Sequence, residues 1–151
     1  MEWEQVLYWI LIALLIASTI TDIKKRIICD RFIVIGLVAT IVIRIFERTE
    51  PWWNYLLTGL GSFLILYMIA VITDEQSIGG GDVKLFGMLG LATGFKPFIV
   101  IFLGSHLLAA LYLGGFKLVR WKQVGWKTEF PFAPFMLAAT LLYYLWKFPF
   151  L

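Results

Sequence analysis

The chain has few of the residues that build several common kinds of site. Among its 151 residues there is one cysteine, Cys29, and one histidine, His106. A single cysteine excludes an intrachain disulfide, a paired CxxC motif and a thiolate zinc site. A single histidine excludes the HExxH zinc motif and gives no convincing Ser-His-Asp arrangement. Any chemistry in this chain must therefore come from other side chains.

Charged residues are also scarce. They make up 15% of the chain, whereas 61% is hydrophobic, and the mean hydropathy is +0.87. Soluble domains contain about 45–50% apolar residues, so most of this chain must lie in a bilayer. The net charge of +3 is divided among short basic groups between apolar spans, which is not typical of a nucleic-acid-binding face. We predict one integral membrane domain over residues 1–151.

The apolar spans predict an all-α, polytopic fold with about six transmembrane helices. A spanning helix needs about 20 mostly apolar residues. The sequence contains such segments near 5–21, 31–46, 53–73, 97–119 and 131–147, and a short fourth helix is predicted from Val83 to Thr93. Because Glu2 and Glu4 stand where a signal peptide would be basic, we expect the first span to be retained. We expect His106 to form a hydrogen bond between helices.

The distribution of lysine and arginine predicts the orientation. With six crossings and both termini outside, nine of the 13 basic residues fall in inside loops and four outside, as the positive-inside rule requires. The inside set is Lys24, Lys25, Arg26, Arg31, Lys84, Lys117, Arg120, Lys122 and Lys127. If the short fourth segment did not cross, the two large basic clusters would lie on opposite sides. This orientation places Asp22 and Asp82 at the cytoplasmic face.

These two aspartates stand at the ends of apolar spans. Asp82 follows Gly79, Gly80 and Gly81, and Asp22 closes the first span. A carboxylate at membrane depth is costly, so it indicates a functional site. Glycine has no Cβ, so this backbone can take positive φ values and approach a peptide substrate closely. Taken singly, Asp82 could be a helix N-cap and Asp22 a solvated boundary charge; as a pair they predict a catalytic dyad.

The pair predicts an aspartic endopeptidase that needs no cofactor or metal. Two carboxyls held close together share one proton, so that one removes a proton from water and the other polarises the scissile carbonyl. Alternatives stay open at this point. Asp30 could bind a basic substrate segment, or could join Asp22 and Asp82 around a hard cation such as Mg²⁺. The chain could also be a small transporter or channel subunit that binds cations or protons at the two aspartates, or a non-enzymatic assembly protein.

Three stretches resemble the type IV prepilin peptidases, which are GxGD membrane aspartyl proteases. Residues 79–85, GGGDVKL, resemble the GxGDxKL signature of that family. Residues 22–32, DIKKRIICDRF, resemble its first catalytic segment, and residues 130–135, FPFAPF, resemble the start of its last helix. A presenilin-like protease is a weaker match, because no Pro-Ala-Leu segment occurs.

The resemblance implies a catalytic pair and its support. Asp22 and Asp82 would be the catalytic residues, with Gly79, Gly81 and Lys84 as further motif residues. The implied activity is removal of the short basic leader from type IV prepilins or prepilin-like proteins at the cytoplasmic membrane face, for pilus assembly or protein secretion. The implied partners are a prepilin or pseudopilin and the lipid bilayer, with no nucleic acid.

The chain departs from the family pattern in two places. Cys29 stands where the family usually has proline, and Ile78 stands where methionine often precedes the glycines. Neither change removes a catalytic group, so we expect only local effects. Larger members carry a segment with paired CxxC motifs that bind zinc and accompany N-methylation. Because this chain has one cysteine, we expect a form that acts only as a peptidase.

Overall fold

The described residues of the chain form six α-helices. The computed structural model describes residues 2–74, 78–119 and 131–149, and no strand occurs in these ranges. The helices are α1 (Trp3–Lys25), α2 (Asp30–Phe46), α3 (Trp52–Ile72), α4 (Gly80–Thr93), α5 (Phe95–Val119) and α6 (Ala133–Lys147). The predicted all-α fold is confirmed. Among the residues used above, Arg120, Lys122, Lys127 and Phe130 lie outside the described ranges.

The helices differ in how far they can reach across a bilayer. By length and composition, α1, α3 and α5 can each span a membrane, with 23, 21 and 25 residues. The other three have 17, 14 and 15 residues, so at about 1.5 Å per residue they reach roughly 21–26 Å. Large apolar side chains such as Leu57, Ile72 and Leu118 are exposed. So much apolar outer surface suits contact with lipid, and the fold is that of a polytopic membrane protein.

Contacts at both ends of α1 show how the helices alternate. Glu4, near the start of α1, contacts Lys147 at the end of α6. Asp22, near the end of α1, contacts Ala133 at the start of α6. The two helices therefore run antiparallel. One end of the bundle carries the end of α1 and the starts of α2, α4 and α6, and we call it the aspartate end.

The short helix α4 lies at the centre of the bundle. It packs against α2, α3 and α5, and most of its residues after Asp82 are buried. Glycines allow its closest contact, with α3. A Cβ at Gly90 would lie 3.0 Å from the carbonyl oxygen of Thr58, and a Cβ at Gly59 would lie 2.9 Å from the backbone nitrogen of Leu91. Small residues at helix contacts are typical of membrane bundles, where they let the backbones approach closely.

A buried ionic cluster holds the far end of α4. Arg44 is 1% exposed, and its Nε and Nη2 donate to the carbonyl oxygen of Ala92 at 3.1 and 2.7 Å. Its Nη2 also lies 3.6 Å from Oε1 of Glu4, which accepts a hydrogen bond from Nζ of Lys147 at 2.9 Å. The guanidinium carbon lies 4.7 Å from the ring centre of Tyr55. Because helix-end carbonyls lack partners within the helix, Arg44 caps α4 and fixes its position relative to four other helices.

His106 is satisfied within its own helix. Its Nδ1 donates to the carbonyl oxygen of Phe102, one turn earlier in α5, at 2.8 Å. Its ring packs against Phe86 of α4 and against Phe132 at the start of α6. The hydrogen bond therefore stays inside α5, contrary to the expected bond between helices. Among the described residues, the side chain contacts α4 and the start of α6 through ring packing.

Candidate active site

Asp22 caps α6 from the last turn of α1. The residue is 8% exposed, and its Oδ2 accepts a hydrogen bond from the backbone N–H of Ala133 at 3.1 Å. Ala133 is the first residue of α6. The first N–H groups of a helix have no partner within that helix, so an acceptor from another segment stabilises the helix start. Pro134 fits the same turn, because proline lacks the N–H that would otherwise need a partner.

Asp82 lies in the first turn of α4 and is half-buried. The N-cap of this helix is Gly79, and the cap makes no side-chain hydrogen bond, so Asp82 is not the N-cap that it could have been by sequence. Its Oδ1 is buried and has no hydrogen-bond partner among the described residues. The carboxyl group interacts electrostatically with Asp22. The two predicted site residues therefore lie near each other at the aspartate end, although they belong to different helices.

The glycines before Asp82 serve close packing. Among the described glycines, only Gly94 has a positive φ, of 82°, so residues 79–81 do not use the positive φ values that glycine allows. Their missing side chains do allow close approach, by another part of the same chain. A Cβ at Gly81 would lie 3.0 Å from the Cβ of Ile28, and a Cβ at Gly79 would lie 3.5 Å from Oδ2 of Asp82. The loop after α1 can therefore pack directly on the start of α4, which brings the two aspartates together.

Lys84 and Asp30 form an ion pair beside this contact. The Nζ of Lys84 lies 2.7 Å from Oδ1 of Asp30, and the two side chains are 46% and 70% exposed. The pair links the first turns of α2 and α4. Exposed ion pairs contribute less than about 1 kcal/mol to the free energy of unfolding, so this pair adds little to the stability of the fold. No group of three His, Cys, Asp or Glu side chains within residues 2–74, 78–119 and 131–149 could hold a metal ion, which gives the Mg²⁺ alternative no support there.

Two polar side chains near Asp22 were missed by the sequence reasoning. Ser18 and Thr19 lie one turn earlier in α1, and both hydroxyl oxygens are buried without a hydrogen-bond partner among the described residues. Their polar side chains were the sequence feature that could have revealed them. A serine and threonine close to an aspartate, at the end of an otherwise apolar span, indicate a polar patch inside the bundle.

Comparison with known proteins identifies the family. The profile of the type IV leader peptidase family matches residues 9–114, which include both aspartates and the glycine motif. The chain belongs to this family. The resemblance seen in the motifs is confirmed at that level. No solved structure matches the chain.

Several curated proteins are similar to the chain. It is 34% identical over 137 residues to the prepilin leader peptidase/N-methyltransferase of Bacillus subtilis (strain 168), which covers 91% of this chain and 54% of that protein. It is 24% identical over 144 residues to the protein of the same name from Aeromonas salmonicida (strain A449), with coverage of 93% and 47%. It is 26% identical over 118 residues to the prepilin peptidase EppA of Methanocaldococcus jannaschii, with coverage of 77% and 32%. The chain thus spans about half, or less, of the length of these relatives.

Proposed function

We propose that the chain is a membrane-embedded aspartic endopeptidase that removes the basic leader from type IV prepilins or prepilin-like proteins. The observation that supports this proposal is the proximity of the Asp22 and Asp82 carboxyl groups at the aspartate end of the bundle. Family membership supports the same activity. Two relatives named above combine peptidase with N-methyltransferase. We propose only the peptidase activity, because two carboxyl groups supply hydrolytic chemistry.

The chemistry follows from two carboxyl groups that share a proton. The ionised member removes a proton from a water molecule as the water oxygen attacks the scissile carbonyl carbon, and the protonated member hydrogen-bonds to the carbonyl oxygen. The carboxyl that took the proton from water then gives it to the peptide nitrogen, the C–N bond breaks, and the tetrahedral species collapses to a carboxylic acid and an amine. The Ala133 N–H holds one oxygen of Asp22 in place throughout, because it belongs to the rigid start of α6. The low-dielectric surroundings strengthen these interactions.

The aspartate end has features that suit a substrate with a basic leader and an apolar helix. Asp82 is half-buried, so a peptide can reach its carboxyl group. The carboxylate of Asp30, at the same end, is 70% exposed even in its ion pair with Lys84, so it can also attract a cationic residue of the substrate. The positive-inside rule assigns this end to the cytoplasm. We therefore propose that the leader approaches from the cytoplasm while the apolar helix of the substrate stays in the bilayer.

The proposed function predicts a single cut at a defined place. Membranes that contain the chain should cleave a prepilin-like substrate once, N-terminal to its apolar helix, because the aspartates lie at a membrane face. Mass spectrometry of the products locates the cut, and membranes without the chain are the control. A cut inside the apolar helix would contradict the proposal. The proposal would also be contradicted if folded protein cleaved no prepilin of a panel and instead conducted ions in a way that depends on Asp82.

Asp30→Asn should lower the cleavage rate by less than about tenfold. The substitution removes an exposed ion pair, whose contribution is less than about 1 kcal/mol, and leaves both catalytic carboxyls in place. Asp74→Asn is the matched control, because Asp74 is an exposed aspartate just after α3 and should not change the rate. Initial rates on one substrate compare the three proteins. A loss at Asp30→Asn as deep as that at Asp22→Asn would make Asp30 part of the catalytic machinery.

A further inference from the structure

Three buried polar atoms without partners lie at the aspartate end. Six buried side-chain nitrogen or oxygen atoms in the described part of the chain have no hydrogen-bond partner. Three of them, on Tyr8, Thr40 and Arg44, lie toward the opposite end of the bundle. The other three are Ser18 Oγ, Thr19 Oγ1 and Asp82 Oδ1. Buried polar groups are nearly always hydrogen-bonded, and an unpaired one is costly inside a membrane. Three unpaired atoms at the end that carries the two aspartates therefore indicate a bound water or ligand.

Ser18 is the most deeply buried of these side chains. It is 0% exposed and belongs to the buried stripe of α1 that includes Leu15 and Asp22. Residues four apart lie on the same face of a helix, and side chains lean toward the helix N-terminus. The Asp22 carboxylate therefore lies over the turn that contains Ser18. Thr19 flanks the same turn but is only half-buried.

The hydroxyl of Ser18 is free for another role. Hydroxyls inside helices often donate to the carbonyl oxygen one turn earlier. Thr93 and Thr140 do so in this bundle, each at 2.7 Å. The Ser18 hydroxyl makes no such bond with any described residue. It keeps both its donor and its acceptor capacity one turn before Asp22 on the same face of α1.

We propose that Ser18 is a positioning residue of the dyad, and that its hydroxyl holds the water that Asp22 and Asp82 activate. This inference rests on the proposed peptidase function. A buried water makes about three hydrogen bonds. Ser18 Oγ and Asp82 Oδ1 are buried and have no partner among the described residues, Ser18 lies one turn before Asp22 on the same face of α1, and the Asp82 carboxyl interacts electrostatically with Asp22. Ser18 exchanges no proton with the substrate. It orients the water between the two carboxyls, so its loss should lower the rate of the chemical step and leave substrate binding unchanged.

Ser18→Ala tests this role by removing only the hydroxyl. We expect kcat to fall about 2- to 12-fold, the range for loss of one hydrogen bond between neutral groups, with KM and the melting temperature unchanged. Ser105→Ala is the matched control. Ser105 is also 0% exposed, but its Oγ donates to the carbonyl oxygen of Phe102 in α5 at 2.8 Å, so its loss should leave kcat unchanged. Ser18→Thr keeps a hydroxyl and should recover most of the lost rate.

The outcomes separate this inference from the proposed function. Wild-type kcat in Ser18→Ala overturns the positioning role, while an inactive Asp82→Asn measured in parallel keeps the peptidase proposal intact. A fall in rate that comes with a raised KM or a lower melting temperature assigns Ser18 a purely structural role and also overturns the inference. Full activity in Asp82→Asn would instead remove the proposed function on which the inference rests.

Discussion

Asparagine in place of either Asp22 or Asp82 is expected to abolish cleavage, with kcat at least about a thousandfold lower. Each carboxyl group has a role in catalysis that a neutral amide cannot perform. An amide cannot hold the negative charge that removes a proton from water, and it cannot share a proton with its neighbour. The amide oxygen of Asp22→Asn can still accept the Ala133 N–H, so the start of α6 should stay in place. The loss should therefore be chemical and not structural.

The control for these variants is their folding. Thermal unfolding in detergent should give melting temperatures close to that of the wild type, because neither substitution changes side-chain volume appreciably. Asp30→Asn and Asp74→Asn make the same chemical change at exposed aspartates of the same end. If Asp22→Asn or Asp82→Asn cleaves at the wild-type rate, the dyad does not exist.

Gly59→Val is expected to lower the free energy of unfolding by about 2–3 kcal/mol, the usual cost of overpacking a close contact. A Cβ at Gly59 would lie 2.8 Å from the Cβ of Leu91 and 2.9 Å from its backbone nitrogen. A backbone atom cannot relieve the clash by changing rotamer, as a side chain can, so α3 and α4 must move apart. Because α4 carries Asp82 in its first turn, cleavage should fall together with stability. The expected drop in melting temperature is roughly 5–10 °C.

Gly61→Val is the matched control for this prediction. It makes the same substitution in the same helix, but a Cβ at Gly61 would meet no atom within 4 Å. Its melting temperature and cleavage rate should stay close to those of the wild type, since substitutions away from packed contacts usually change stability by less than about 0.5 kcal/mol. Equal melting temperatures for Gly59→Val and Gly61→Val would show that the contact between α3 and α4 is not close.

The helices and the two aspartates could be predicted because their signals are local. Apolar spans mark the helices, and the residues around Asp22 and Asp82 carry a recognisable pattern in the sequence itself. The distribution of basic residues then puts both aspartates on one side, and the structure brings both to the same end of the bundle. The start of α4 was less predictable. The sequence predicts a turn at the three glycines and a helix from Val83, whereas α4 already begins at Gly80, and a Cβ at Gly81 would lie 3.0 Å from the Cβ of Ile28.

The partners within the site could not be predicted, because they come from distant parts of the chain. The N–H that Asp22 accepts belongs to Ala133, and backbone groups leave no mark in a sequence. Arg44 reads as an ordinary outside charge, but it is buried and caps α4 at Ala92. Only the packing of α2 against α4 decides this. The unpaired hydroxyl of Ser18 likewise becomes visible only once its neighbours are known.

The most direct test of the central claim is one cleavage assay in membranes on four proteins. These are the wild type, Asp22→Asn, Asp82→Asn and the variant with both substitutions, with product masses read for each. If the two aspartates act as one unit, the wild type makes a single cut before the apolar helix and all three variants are equally inactive, because removing the second member of a unit costs nothing further. Cleavage that persists in either single variant, with a further loss only in the double one, would show that the aspartates act separately and would contradict the account.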